Sequence, residues 1–316
     1  MAMSDLQNIS QRSAGESFHI DTIVRKLHEA RRTWRTSTQR VQEAGAREFP
    51  ARAALEIVLN HLSGALFPMR LGPPDLRQES EDIYVAHALD VALNALLGQV
   101  YLELSLSTRK DREADFSRRH QHARELVGLF AQKLPEIRRL VDTDVLAAYR
   151  GDPAAGSVDE VLLCYPGVRA VLVHRIAHEL YQLGLPLISR MLAELSHEQT
   201  GIDIHPGARI GESFFIDHGT GVVIGETTVI GSRVRLYQAV TLGAKRFKAG
   251  AGGELVKGEP RHPRVEDDVV IYAGATVLGL ITIGRGAVIG GNVWVTQDVP
   301  AGAHVTQAHV QQATKS

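Results

Sequence analysis

One spacing governs the last third of this 316-residue chain: apolar residues return at every sixth position. Ile204, Ile210, Ile216 and Val222 form one run, and Ile224, Ile230, Leu236 and Leu242 a second. Val265, Ile271, Val277, Ile283, Ile289 and Val295 form a third. A half-buried strand repeats at two residues and a helix at 3.6. A period of six describes short strands that each send one residue to a shared axial core and then turn. Small or β-branched residues stand two places earlier, at Ala208, Val234, Val240, Val269, Ala275 and Ala287. Glycine follows the core residue at 211, 225, 231, 243, 284 and 290, where a corner is needed.

Before residue 201 the chain is chemically different. It holds 10 of the 29 glycines but 29 leucines, against 5 leucines afterwards. Leucine keeps most of its rotamer freedom in a helix. Helices are expected over 22–44, 51–67, 83–104, 114–133, 135–149, 167–183 and 185–198, with Pro50, Pro135, Pro166 and Pro186 marking starts.

Charge and cysteine content narrow the function. Lys plus Arg number 35 and Asp plus Glu 36, so no electrostatic case exists for nucleic acid. The single cysteine, Cys164, excludes an internal disulfide and fits a reducing, cytoplasmic setting. It is expected as a small buried thiol. Met1 to Asp21 lacks the pattern of a secretory leader, and no unbroken 18-residue apolar run suggests a membrane span. His174 and His178 share a helix face and could hold a metal, but no third ligand accompanies them, so no metal is expected.

Two interruptions break the repeat. The step from Ile216 to Ile224 is eight and holds Asp217-His218-Gly219-Thr220-Gly221. Between Leu242 and Val265 lies a long excursion ending Glu259-Pro260-Arg261-His262. A scaffold gains nothing from such departures, so function is expected there.

The hexad pattern resembles that of the hexapeptide-repeat acyltransferases. Within them, several motifs resemble the serine O-acetyltransferases in order and spacing. These are Gly201-Ile202-Asp203-Ile204-His205-Pro206-Gly207, Ile216-Asp217-His218-Gly219-Thr220-Gly221, Tyr237-Gln238-Ala239-Val240-Thr241-Leu242-Gly243 and Arg261-His262-Pro263. Upstream, Gly151-Asp152-Pro153 and Leu163-Cys164-Tyr165-Pro166-Gly167 agree too. The likeness runs from about 144 to 300.

The resemblance implies an α+β architecture: an all-α region over 1–198 and a left-handed parallel β-helix of hexapeptide repeats over 199–305. An excursion spans 244–263 and a tail 306–316. It implies acetyl transfer from acetyl-CoA to the hydroxyl of L-serine, for cysteine biosynthesis. His218 then corresponds to the general base and Asp203 to the carboxylate that orients it, and His262 to a second histidine at the substrate. Asp152 and Asp217 suit the ammonium of serine, and Arg261 its carboxylate. Gly243, Ala244, Ala273 and Gly274 correspond to positions lining the pantetheine arm of CoA, and Lys245, Arg246, Lys248 and Lys257 could meet its phosphates.

Alternatives remain at this point. Asp203 and Asp217 are also ordinary turn residues, and the histidines could be surface residues. A same-fold acetyltransferase acting on another hydroxyl is possible, although the paired charges argue against a sugar. A zinc lyase of this fold needs three convergent histidines, and His205, His218 and His262 lack the spacing. The family implies a homotrimer or a dimer of trimers, and cysteine as a feedback inhibitor. The chain ends Thr314-Lys315-Ser316, so docking of its tail to the sulfhydrylase of the pathway is not expected.

Overall fold

The computed structural model describes residues 18–38, 49–107, 116–246 and 254–307. The chain forms two compact units, Met1–Glu48 and Phe49–Ser316. The described part of the first is one helix, α1 (Ile20–Ser37), with Ile20, Ile23, Val24 and Leu27 exposed. The expected continuation of this helix to 44 falls on 39–48, outside the described residues, as do Lys248 and the tail from 308.

The second unit begins with helices. They are α2 (Arg52–Leu66), α3 (Pro68–Leu71), α4 (Glu81–Ser107), α5 (Phe116–Ala131), α6 (Leu134–Gly151), α7 (Val158–Cys164), α8 (Pro166–Gln182) and α9 (Pro186–Thr200). Proline stands in the first turn of α6, α8 and α9, where its fixed φ fits and its missing N–H costs nothing. The short α3 and α7 were not expected. Their apolar side packs around Leu55, Leu62, Leu96, Phe130, Ile137, Leu172 and Ile188.

One expectation is corrected here. Cys164 is exposed, because it ends α7 just before Pro166 redirects the chain and its side chain leaves the core. Among the described residues one helical stretch, Gln78–Leu106, is long and apolar enough on average to cross a bilayer, a test that the core helix of a helical bundle also passes. Ala88, Ala92, Leu96 and Val100 of α4 are buried, and α4 packs chiefly on α2.

The strands are two or three residues long and all pair in parallel. β1 (Asp203–Ile204), β4 (Val223–Ile224), β7 (Thr241–Gly243), β10 (Thr276–Leu278) and β13 (Trp294–Val295) stack as the first sheet. β2 (Arg209–Ile210), β5 (Val229–Ile230), β8 (Arg264–Val265) and β11 (Thr282–Ile283) form the second. β3 (Phe215–Ile216), β6 (Arg235–Leu236), β9 (Val270–Ile271), β12 (Val288–Ile289) and β14 (His304–Val305) form the third. The chain visits the sheets in turn, one coil per three strands, as a left-handed parallel β-helix. Of the fourteen in-phase residues, all but the partly buried Ile210 are buried along the axis. Each full burial contributes about 1.5–3 kcal/mol. The six predicted small or β-branched partners are buried beside them.

Candidate active site

The eight-residue step places His218. Elsewhere, a residue with positive φ recurs at one place in successive corners. Ser213, Arg233 and Asp268 line one edge, and Gly221, Ala239, Gly274 and Asn292 another; all but Ser213, whose N–H donates to the Thr143 hydroxyl, are linked to the coil before by a backbone hydrogen bond. His218, at φ 57°, belongs to neither column. The Gly219 N–H donates to the Asp217 carbonyl at 2.7 Å, closing a γ-turn of the rare positive-φ kind around His218. Such backbone persists only where its surroundings enforce it, and it concentrates at functional sites. Gly219 permits it: a Cβ there would lie 2.4 Å from Ile202 Cδ1.

Gly167 lets α8 start against β3, since a Cβ would meet the Ile216 carbonyl oxygen at 2.2 Å. That contact carries Tyr165 and Asp152 to the edge bearing His218. The Tyr165 hydroxyl donates to Asp152 Oδ2 at 2.5 Å, and the Ala154 N–H to Oδ1 at 2.8 Å. The tyrosine bond holds the Asp152 carboxyl below its ordinary value, and the Tyr165 phenol is pushed up to about 12. Arg235 adds positive charge, its guanidinium 5.3 Å from the Phe215 ring centroid. Asp217 Oδ1 stands 3.7 Å from His218 Nδ1. The His218 side chain is 69% exposed, so this chain alone leaves that ring open.

Asp203 begins β1, one corner along from His218. Among the described residues no hydrogen bond joins the two. The Asp203 carboxylate instead gathers with Glu194 and His197 of α9, their ligand atoms within 4.8 Å of one another. His174 and His178 lie with ring centroids 5.6 Å apart, and His178 Nδ1 meets the Pro206 carbonyl at 2.8 Å.

His262 and Arg261 lie on a different edge, between the first and second sheets, where the excursion returns. His262 is buried, with Nδ1 facing the Thr227 N–H at 3.1 Å and the Thr227 hydroxyl at 2.8 Å. Burial pushes its pKa down to about 4, with the Arg261 charge adding to the effect. The Arg261 guanidinium donates to Glu226 Oε2 at 2.5 Å, and Tyr181 of α8 donates to Oε1 at 3.1 Å. Burial pushes Glu226 up, but those two bonds outweigh it and leave the carboxyl below its ordinary value. Beside them opens a cleft of about 510 Å³ lined by Lys245, Arg246, Arg261, Leu278 and Leu280 among others.

The expected residues therefore divide. Asp152, Asp217 and His218 share one edge of the first sheet with Ala273 and Gly274 two coils on. Arg261 and His262 share the other edge with Gly243 and Ala244. His205 joins the second group, edge-on to Tyr181 at 5.7 Å, so His205, His218 and His262 do not converge within one chain.

No family model matches the chain. A plasmid-encoded serine acetyltransferase of Synechococcus elongatus is 58% identical over 264 residues, 83% of each chain. The chain belongs to the serine acetyltransferase family. Among solved structures, Entamoeba histolytica serine acetyltransferase 1 in complex with L-cysteine is 40% identical at a TM-score of 0.69, covering 79% of this chain and 86% of that one. The Neisseria gonorrhoeae serine acetyltransferase in complex with serine is 29% identical at a TM-score of 0.50, covering 80% of this chain and 94% of that one.

A serine acetyltransferase must hold a zwitterion and deprotonate its hydroxyl. Four polar residues around the two edges carried no role in the sequence reading: Tyr165, Arg235, Tyr181 and Thr227. Tyr165 stands inside a quoted motif, but nothing in a linear motif says which carboxylate it meets.

Proposed function

We propose that this serine acetyltransferase takes its acetyl group from acetyl-CoA and assembles each active site from two subunits of a trimer. The observation that supports this is the division of the site. The base-bearing edge of one subunit and the Arg261–His262 edge of the next would face each other across one groove.

In that groove Asp152 and Asp217 hold the ammonium of L-serine, and Arg261 holds its carboxylate. His218 takes the hydroxyl proton as the serine oxygen bonds to the thioester carbon. Asp203, on the strand beside it, orients the ring when substrate closes the site. His262, neutral above its low pKa, donates to the developing oxyanion. As the C–S bond breaks, His218 returns the proton to the departing sulfur. The small residues Gly243, Ala244, Ala273 and Gly274 leave room for the pantetheine arm, and Lys245 and Arg246 meet the phosphates. These steps use protein side chains alone. Cysteine, close in shape to serine, competes for the same charges and acts as a feedback inhibitor. The setting is cytoplasmic, and the division of labour is a helical region to 198 and a catalytic β-helix over 199–305. Two trimers pairing through the helical regions would give a hexamer.

Thiol release from acetyl-CoA tests the reading. Release should require serine, be competed by cysteine, and fall by about 10²–10⁴ in His218→Ala. Serine-dependent release that survives the substitution refutes the assigned base.

A further inference from the structure

A histidine that donates a hydrogen bond without ionising must carry its one proton on the nitrogen that faces the substrate. In His262 one neighbour makes that choice. Thr227 lies just before β5, one coil from His262. Its Oγ1 accepts two backbone N–H groups, from Arg261 at 2.9 Å and from His262 itself at 3.2 Å. A hydroxyl has two acceptor sites and one proton. With both sites filled, the proton goes to the remaining neighbour, His262 Nδ1, at 2.8 Å. The backbone N–H of Thr227 points at the same nitrogen from 3.1 Å, and a backbone N–H can only donate. Nδ1 thus meets two donors and has no place for a proton of its own.

We propose that Thr227 is a positioning residue for acetyl transfer: it fixes His262 as the Nε2–H tautomer, so that this histidine serves as a hydrogen-bond donor and not as a second base. The inference rests on the reading of His262 as the group that meets the oxyanion. The same hydroxyl holds the backbone of Arg261, so it sets the ring and the carboxylate clamp together. Burial beside the Arg261 charge, which pushes the ring pKa down to about 4, keeps that tautomer neutral at working pH.

Ring-nitrogen NMR of the full-length, histidine-labelled enzyme at neutral pH tests this directly, with the His262 signal assigned by its loss in His262→Asn. The expected result is an unprotonated Nδ1 and a protonated Nε2; a proton on Nδ1 overturns the proposal without any activity measurement. Thr227→Val should lower kcat about tenfold or more, the loss of one hydrogen bond, and move the ring titration up towards the ordinary imidazole value. Thr227→Ser should restore both. Wild-type kcat in Thr227→Val overturns the proposal whether or not the titration moves. Wild-type kcat in His262→Asn overturns the underlying reading of His262 instead, and the tautomer signature tells the two failures apart.

Discussion

The His262 ring lies against a residue with no side chain: a Cβ on Gly225 would sit 2.1 Å from Cδ2 and 2.2 Å from Nε2. That close fit is what buries the ring and pushes its pKa down to about 4. In the unfolded chain a histidine takes up its proton near 6.5. Between those values the unfolded state binds more protons, so stability falls as pH falls. The loss approaches about 3 kcal/mol per subunit near pH 4. Fully buried His174, also held well below its ordinary value, adds in the same direction. Thermal unfolding at fixed protein concentration should therefore show a midpoint dropping between pH 6.5 and 4, with a shallower drop in His262→Asn. An equal slope in both proteins would mean that the ring ionises freely in the fold. At this scale His218 and His262 were legible in the sequence because both stand where the six-residue phase breaks. Thr227 was not. Its partners sit 34 and 35 positions away, and which coil stacks on which decides them.

Between elements, one buried ion pair joins the helices to the first coil. Arg175 of α8 bonds Asp144 of α6 through two contacts, 2.7 and 2.9 Å, with both side chains at most 5% exposed. Arg175 also donates to the Gly211 carbonyl at 2.8 Å, and Asp144 accepts the Phe214 N–H at 2.8 Å. The pair thus clamps the corner from β2 to β3, and β3 leads directly into Asp217 and His218. Removing one partner leaves a buried charge alone, which costs about 3–5 kcal/mol. Arg175→Met should destabilise by that order, and the double variant Arg175→Met, Asp144→Leu by clearly less, as read by thermal unfolding. Equal losses in the single and double variants would show that the pair acts through its backbone contacts and not its charges. The long helices were legible from their 3.6-residue period. The four-residue α3 and seven-residue α7 were not, because one or two turns display no period. Asp144 reads in sequence as an ordinary charge on an amphipathic helix; only the packing of α6 on the β-helix makes it buried.

For the whole molecule, the coil of short strands was legible from the period of six and its left hand only from the family resemblance, whereas the proposed assembly is argued from the separation of the two edges. In the corner between the third and first sheets His218 stands open to solvent; in the corner between the first and second, His262 is buried against Gly225. In the proposed cyclic trimer each His218 edge would face the neighbour's Arg261–His262 edge, a heterologous contact that closes a ring. The consequence is complementation. His218→Ala and His262→Ala homotrimers should each be nearly inactive. Dissociated and reassembled in equal amounts, they form mixed trimers in which each site draws its base edge from one subunit and its His262 edge from the next. Each edge is wild type half the time, so about a quarter of the sites regain both histidines, and activity should rise to about a quarter of wild type. If both histidines acted within one subunit, every site would lack one of them whatever the mixture, and no activity would return.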